Sequence, residues 1–330
     1  MRVGGSQPAI SVVMPLYNKE REVARAIRSA LAQTFTDYEL IVVNDGSTDR
    51  SVDAVATFND DRIRLVHQNN QGVSAARNRG VSETRAKLVA FLDADDEWLP
   101  QFLATVWRLS NGQPDSAVFA TGYLLREPGG RTRLAVLHGL STGFTEGTLE
   151  DYFAVAAASD PPLFSSAIAV RREALQSVGG FPTGIRSGED LLTWARLAAR
   201  YPIVYSVEPL AIFWMPGYVT DRPGRFIDQR DAVGDGLIDL LSVVDGNHRK
   251  SLRAYVALWY RMRSVIALQL GRRLEALRNA VRSMKYGGWN SRLMMVGLLA
   301  LAPCPSPGKI LSGLRRMRDN FLLDRQVREG

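Results

Sequence analysis

Four acids occupy five consecutive positions in the stretch "AFLDADDEWLP": Asp93, Asp95, Asp96 and Glu97. They follow an apolar run directly, where a buried strand ends. Carboxylates this close raise one another's pKa, so the cluster is costly without a countercharge. A divalent cation removes the cost. Carboxylate oxygens are hard ligands that suit Mg²⁺ or Mn²⁺, and Mg²⁺ commonly binds through one or two carboxylates plus the phosphates of a ligand. Another acid, Asp45, ends a second apolar run in "ELIVVNDGSTD". A plainer role competes, because "DADDEWLP" could cap a helix starting near Leu99. That role serves Asp96 and Glu97 equally well. It explains Asp93 poorly, since that residue follows "VAFL" at once.

The elements that must position these acids alternate along the chain. Apolar, β-rich runs at 9–17, 39–45, 63–68 and 87–93 are separated by helical patterns. The segment 19–33 places Val23, Ile27, Ala30 and Leu31 on one helical face. A second helix begins within "STDRSVDAVATF", with Ser47 or Thr48 as its N-cap, and "VSAARNRGVSET" forms a third. Continuous apolar strands between helices predict an α/β fold, with a mostly parallel sheet flanked by helices on both faces. Ligands of such sheets bind beyond the carboxyl ends of the strands. Asp45 and the Asp93 cluster then face one crevice, where a metal and a phosphorylated ligand would complete the site.

At this point the residues resemble the family 2 glycosyltransferases, inverting enzymes of the GT-A fold that use nucleotide-diphosphate sugars. The resemblance runs from about Ile10 to Phe213. It rests on "SVVMPLYN", "ELIVVNDGSTD", "NQGVSAARNRGVSETRAKLVAFLDADD" and "VGGFPTGIRSGEDLLTWARLA", four pieces in order. It implies that Asp45 contacts the base or ribose, with Asn44 where the family often has Asp. It implies Asp93 at the ribose and metal, Asp95 on the metal at the diphosphate, and Asp96 in reserve. Arg77, Pro15 and Tyr17 would form the nucleotide pocket. Asp190 is the candidate base, and Glu189 would position it or touch the acceptor. The same pair would otherwise be ordinary acids at a helix N-terminus. One departure stands out: the family's aromatic-Arg-x-His pattern reads "FWMPGYVTD" here, with Trp214 and Pro216 at the Arg and His places. The metal then lacks a protein ligand, unless Arg222 or Arg225 substitutes.

The chain has 330 residues, 46% hydrophobic and 23% charged, with one cysteine, Cys304. A lone cysteine excludes an intramolecular disulfide framework and suits a reducing compartment. No stretch of signal-peptide character precedes the first strand, so a cytoplasmic location is expected. The net charge of +7 is unevenly spread. From Arg249 onward, 17 Lys and Arg face 4 Asp and Glu, a balance of +13. The preceding residues carry 24 and 30, a balance of −6. Two regions are expected: a GT-A catalytic domain over 1–224 and a helical region over 225–330. Residues 286–330 combine an apolar run of about a dozen residues, too short to span a bilayer, with the basic, amphipathic "KILSGLRRMRDNF". Packing on the catalytic domain competes evenly with attachment to an anionic membrane surface at the inner face of the cell membrane.

Two functional classes follow. One is a metal-dependent transferase moving a sugar to a saccharide or lipid-linked acceptor in cell-surface polysaccharide or glycolipid synthesis. The other is a non-catalytic sugar-nucleotide or nucleic-acid binding protein on the same scaffold. A nucleic-acid surface requires aromatics exposed among its basic residues. Tyr255, Trp259 and Tyr260 fall within an apolar helical pattern instead, so no nucleic-acid partner is expected.

Overall fold

The computed structural model describes residues 7–215, 230–288 and 291–302. The chain forms two compact units, Met1–Gly224 with Ser242–Val244, and Arg225–Leu241 with Asp245–Gly330.

In the first unit, strands and helices alternate as the apolar pattern requires: β1 (Ile10–Leu16), α1 (Val23–Leu31), β2 (Tyr38–Asp45), α2 (Ser51–Ala56), β3 (Ile63–Gln68), α3 (Val73–Glu83) and β4 (Leu88–Phe91). There follow β5 (Glu97–Trp98), α4 (Phe102–Gly112), β6 (Val118–Arg126), β7 (Thr132–Leu134), β8 (Glu146–Thr148), α5 (Tyr152–Ala158), β9 (Ile168–Arg171), α6 (Arg172–Ser177), α7 (Glu189–Ala198) and β10 (Ile203–Trp214). One sheet runs β3-β2-β1-β4-β9-β6-β10-β5, with β7 on β6 and β8 on β10. The ladders among β3, β2, β1 and β4 are parallel, as expected. Beyond β4 the sheet is mixed. β9 runs antiparallel to both β4 and β6, while β6 and β10 are parallel.

Every residue of β1, β2 and β4 is buried, which is why these strands read as unbroken apolar runs. One face packs Val12, Met14, Leu40 and Val42 with Val23, Ala26, Ile27 and Ala30 of α1. On the other, Ile41 and Val43 join Ala76 of α3. Helix α3 lies so near β1 that a Cβ at Gly80 would stand 2.3 Å from Val13 Cγ1, so only glycine fits there.

Three local expectations are corrected. Helix α1 starts at Val23 rather than Lys19, because the Lys19 and Glu20 amides donate instead to Ser51 Oγ and Asp49 Oδ2. Helix α2 starts at Ser51, after Arg50, and neither Ser47 nor Thr48 caps it. Ser47 Oγ accepts from the Asn18 amide, and Asn18 Oδ1 accepts from the Thr48 amide. The "NDGSTD" segment thus knits the loop after β2 to the loop after β1. Lastly, the helix behind the acid cluster begins at Phe102 with no acid in its first turn, so the acids are not its cap. Glu97 and Trp98 pair with Ile212 and Ala211 of β10.

The second unit holds α8 (Ala232–Asp239), α9 (Gly246–Gln269), α10 (Arg273–Gly287) and α11 (Ser291–Leu301). Tyr255, Trp259 and Tyr260 are buried in it, as the apolar pattern predicts. None of the described helices is long and apolar enough to cross a membrane. Pro216, Arg222, Arg225, Cys304 and the "KILSGLRRMRDNF" segment lie outside the described residues.

Candidate active site

A buried arginine organises the site. Arg77, on α3, is 4% exposed. One terminal nitrogen, Nη2, donates to both oxygens of Asp93, at 2.8 and 3.0 Å, and the other donates to Glu189 Oε1 at 3.3 Å. One guanidinium therefore ties the end of β4 to the start of α7. Burial opposes its charge, yet Asp93, Glu189 and Asp190 more than compensate and hold it protonated. Burial raises the Asp93 carboxyl, and Asp95 and Asp190 add to this while Arg77 opposes it. Burial pushes Glu189 up to about 7, Asp190 adds to the rise, and Arg77 counters it. Asp190 itself is half-exposed, and its Oδ1 accepts from the Leu191 amide at 2.7 Å. Gly188 gives α7 its sharp start, at φ +85°.

The neighbouring Asn78 serves a different purpose. Its side-chain amide donates to the Phe181 carbonyl at 2.7 Å and accepts from the Phe181 amide at 2.9 Å. This pair of hydrogen bonds fixes the Gly179–Gly180–Phe181 turn that leads toward α7. Gly180, at φ +65°, has no room for a Cβ, which would meet Asn78 Oδ1 at 2.7 Å.

The four clustered acids separate into distinct environments. Asp95 is half-exposed, and Lys19 Nζ lies 2.6 Å from its Oδ2. Arg25 donates to the Asp95 carbonyl. Asp96 is 1% exposed, so it cannot serve as the reserve ligand. Its oxygens accept from Ser166 Oγ at 2.5 Å and the Trp214 amide at 3.2 Å. Burial pushes its carboxyl well above the usual range, with Asp95 and Asp93 adding. Ser166, which carried no motif, also accepts from the Asp93 amide at 3.0 Å and gives its carbonyl to Trp98 Nε1. Glu97 accepts from Trp214 Nε1 at 3.3 Å.

Asp45 ends β2 as expected but is 2% exposed. Its Oδ1 accepts from Gln68 Nε2 and the Gln71 amide, and its Oδ2 accepts from the Gly72 amide at 2.8 Å. It holds the loop entering α3, and three protein partners occupy most of its capacity. Pro15 is buried within β1 opposite Val43, so it backs the pocket rather than lining it. Tyr17, just beyond, is 47% exposed. Trp214 stands where an Arg was expected, yet positive charge is present. The Arg25 guanidinium lies 3.9 Å from its ring centroid and that of Arg126 lies 5.3 Å away.

Among the described residues, no group of three or more His, Cys, Asp or Glu side chains is placed to hold a metal. Asp93, which was expected to share the ion, accepts from Arg77 Nη2 at both its oxygens. Asp95 does fit a divalent ion that takes its other ligands from phosphates and water, provided Lys19 swings aside.

The mixed sheet, with its acids beyond β2 and β4 and an acid pair opening α7, defines the GT-A class of glycosyltransferase scaffold. The chain belongs to glycosyl transferase family 2, whose model matches residues 11–179. Among solved structures it resembles S. aureus TarS 1-349 in complex with UDP-GlcNAc, with a TM-score of 0.68 and 16% identity over 88% of this chain and 84% of that one. It also resembles the mannosyltransferase PcManGT from Pyrobaculum calidifontis in complex with GDP-Man and Mn²⁺, with a TM-score of 0.54 and 15% identity over 94% and 80%. Among curated relatives, the uncharacterized glycosyltransferase YibD of Escherichia coli is 43% identical over 103 residues, 31% of this chain and 30% of its own length. An uncharacterized glycosyltransferase of Rickettsia bellii is 30% identical over 194 residues, 58% and 26% respectively. The matched part thus spans less than a third of these relatives' lengths.

Proposed function

We propose that this chain transfers a sugar, with inversion, from a nucleoside-diphosphate donor to an acceptor hydroxyl in cell-surface polysaccharide or glycolipid synthesis. The observation that carries this reading is Arg77, which ties Asp93 at the end of β4 to Glu189 at the start of α7, so that Asp95 and Asp190 both act on the Asp93 carboxyl. Asp93, anchored by Arg77, faces the donor ribose, and Tyr17 lines the nucleotide pocket. Asp190, half-exposed at the opening turn of α7, accepts the proton of the attacking hydroxyl. Positioned bases of this kind contribute 10²–10⁴-fold. Glu189, buried beneath it, holds the helix start in place through Arg77. Neutralising the diphosphate leaving group is the electrostatic half of the task. Lys19 and Arg25 bring positive charge to that end of the site. A Mg²⁺ or Mn²⁺ ion, held by Asp95, would add charge stabilisation on the departing diphosphate. The similarity of TarS and PcManGT to this chain supports a nucleotide-sugar donor, since those structures hold UDP-GlcNAc and GDP-Man.

Calorimetry tests the donor and the ion together. UDP or GDP should bind more tightly with Mn²⁺ or Mg²⁺ than in EDTA, and Asp95→Asn should lose most of that difference. Asp96→Asn should keep it, because Asp96 is buried away from the ion. Equal affinity in EDTA for every nucleotide that binds would remove the metal from this account.

A further inference from the structure

The second unit carries a surface that its own packing does not use. The inner face of α11 belongs to a core in which Val296 and Ala300 meet Ala267, Leu268 and Ala276 of α9 and α10. Its outer face is apolar as well. Met294, Leu298 and Leu301 recur at helical spacing and are 53%, 69% and 73% exposed. On α10, Leu274 and Val281 are 62% and 60% exposed. Arg273 donates to the carbonyls of Ala300 and Ala302, which sets the start of α10 beside the end of α11. A helix apolar on every side belongs in a core or in lipid, and this one is too short to span a bilayer.

Charge selects among possible covers. Between Arg249 and Ala302, eleven Lys and Arg accompany a single acid, Glu275. That acid is already paired with Arg263 and Arg272. On α10, Arg278, Arg282 and Lys285 are exposed. A second copy of the chain would bring this positive surface against itself, a repulsive arrangement. A nucleic acid would satisfy the charge but leave the leucines uncovered. An interface of anionic headgroups over acyl chains satisfies both.

We propose that α10 and α11 form a docking face for an anionic membrane surface, with Met294, Leu298 and Leu301 entering the acyl boundary and the α10 cations meeting the headgroups. The face is independent of the catalytic reading, since docking and transfer use different residues.

The full chain is sedimented with vesicles of phosphatidylcholine alone or mixed with phosphatidylglycerol. It should pellet with the anionic vesicles, several-fold less with neutral ones, and less again at high salt. The double variant Leu298→Gln, Leu301→Gln changes exposed positions only, so its melting temperature should match wild type while vesicle binding falls roughly tenfold or more. Hydrogen exchange across 293–301 should slow with anionic vesicles in the wild type. Transfer to a soluble acceptor should be the same in both proteins. Equal pelleting of both proteins, or no pelleting of either, would overturn the proposal. So would a concentration-dependent oligomer, seen without vesicles and abolished in the double variant, because the face would then join copies of the chain.

Discussion

Arg77→Met should destabilise the protein by about 3–5 kcal/mol, the usual cost of removing one partner from a buried ion network. Asp93 and Glu189 would be left facing each other without their shared cation. The loss should depend on pH, and its sign follows from Glu189. Burial raises its pKa to about 7 from an ordinary value near 4.5. A raised carboxylate pKa means the folded state prefers the protonated form. The associated stability is complete below about 4.5 and is lost as pH rises through about 7. Arg77 limits that loss by favouring the charged form. Without Arg77 the pKa climbs further and the decline continues to higher pH. Urea melts should therefore show Arg77→Met closer to wild type at pH 5 than at pH 8. An equal deficit at both values would show that the guanidinium is not compensating these carboxylates.

Asp190→Asn should leave donor affinity unchanged and lower kcat by roughly 10² or more. Asparagine keeps the shape, and its Oδ1 can still accept from the Leu191 amide. Only proton acceptance is lost, so the effect belongs to the chemical step. Transfer near the wild-type rate would place the base elsewhere. Glu189 would be the next candidate on distance, but its burial and its bond to Arg77 suit it to positioning.

Much of this was legible in the sequence because it is encoded locally. Unbroken apolar runs announce strands buried on both faces, and acids directly behind them mark the ligand edge of the sheet. Helix α3 and the place of Asp93 behind its strand followed from such patterns, whereas Arg77 and Glu189 were picked out by the resemblance to family 2 glycosyltransferases. What could not be read were partnerships between residues far apart. Ser166 sits at the centre of a network joining Asp93, Asp96 and Trp98, yet a serine before a strand has no signature. Asn78 clamps a turn more than a hundred residues away. Asp45 ends the correct strand, but whether its oxygens face a ligand or the Gln71–Gly72 loop depends on where that loop returns. Asp96 looked like a spare metal ligand because adjacent acids are indistinguishable in one dimension. In the fold, one points to solvent and Lys19 while the next enters the core. The loss of the family's Arg-x-His element read as a missing protein ligand for the metal. The fold instead brings Arg25, from a helix nearly two hundred residues earlier, against Trp214.

The most direct measurement is turnover against a panel of nucleotide-diphosphate sugars, with the anomeric configuration of the product read by NMR. One or a few donors should be consumed, with release of the nucleoside diphosphate and an anomeric carbon inverted relative to the donor. Retention of configuration, or a folded protein that neither binds nor consumes any such donor, would contradict the account.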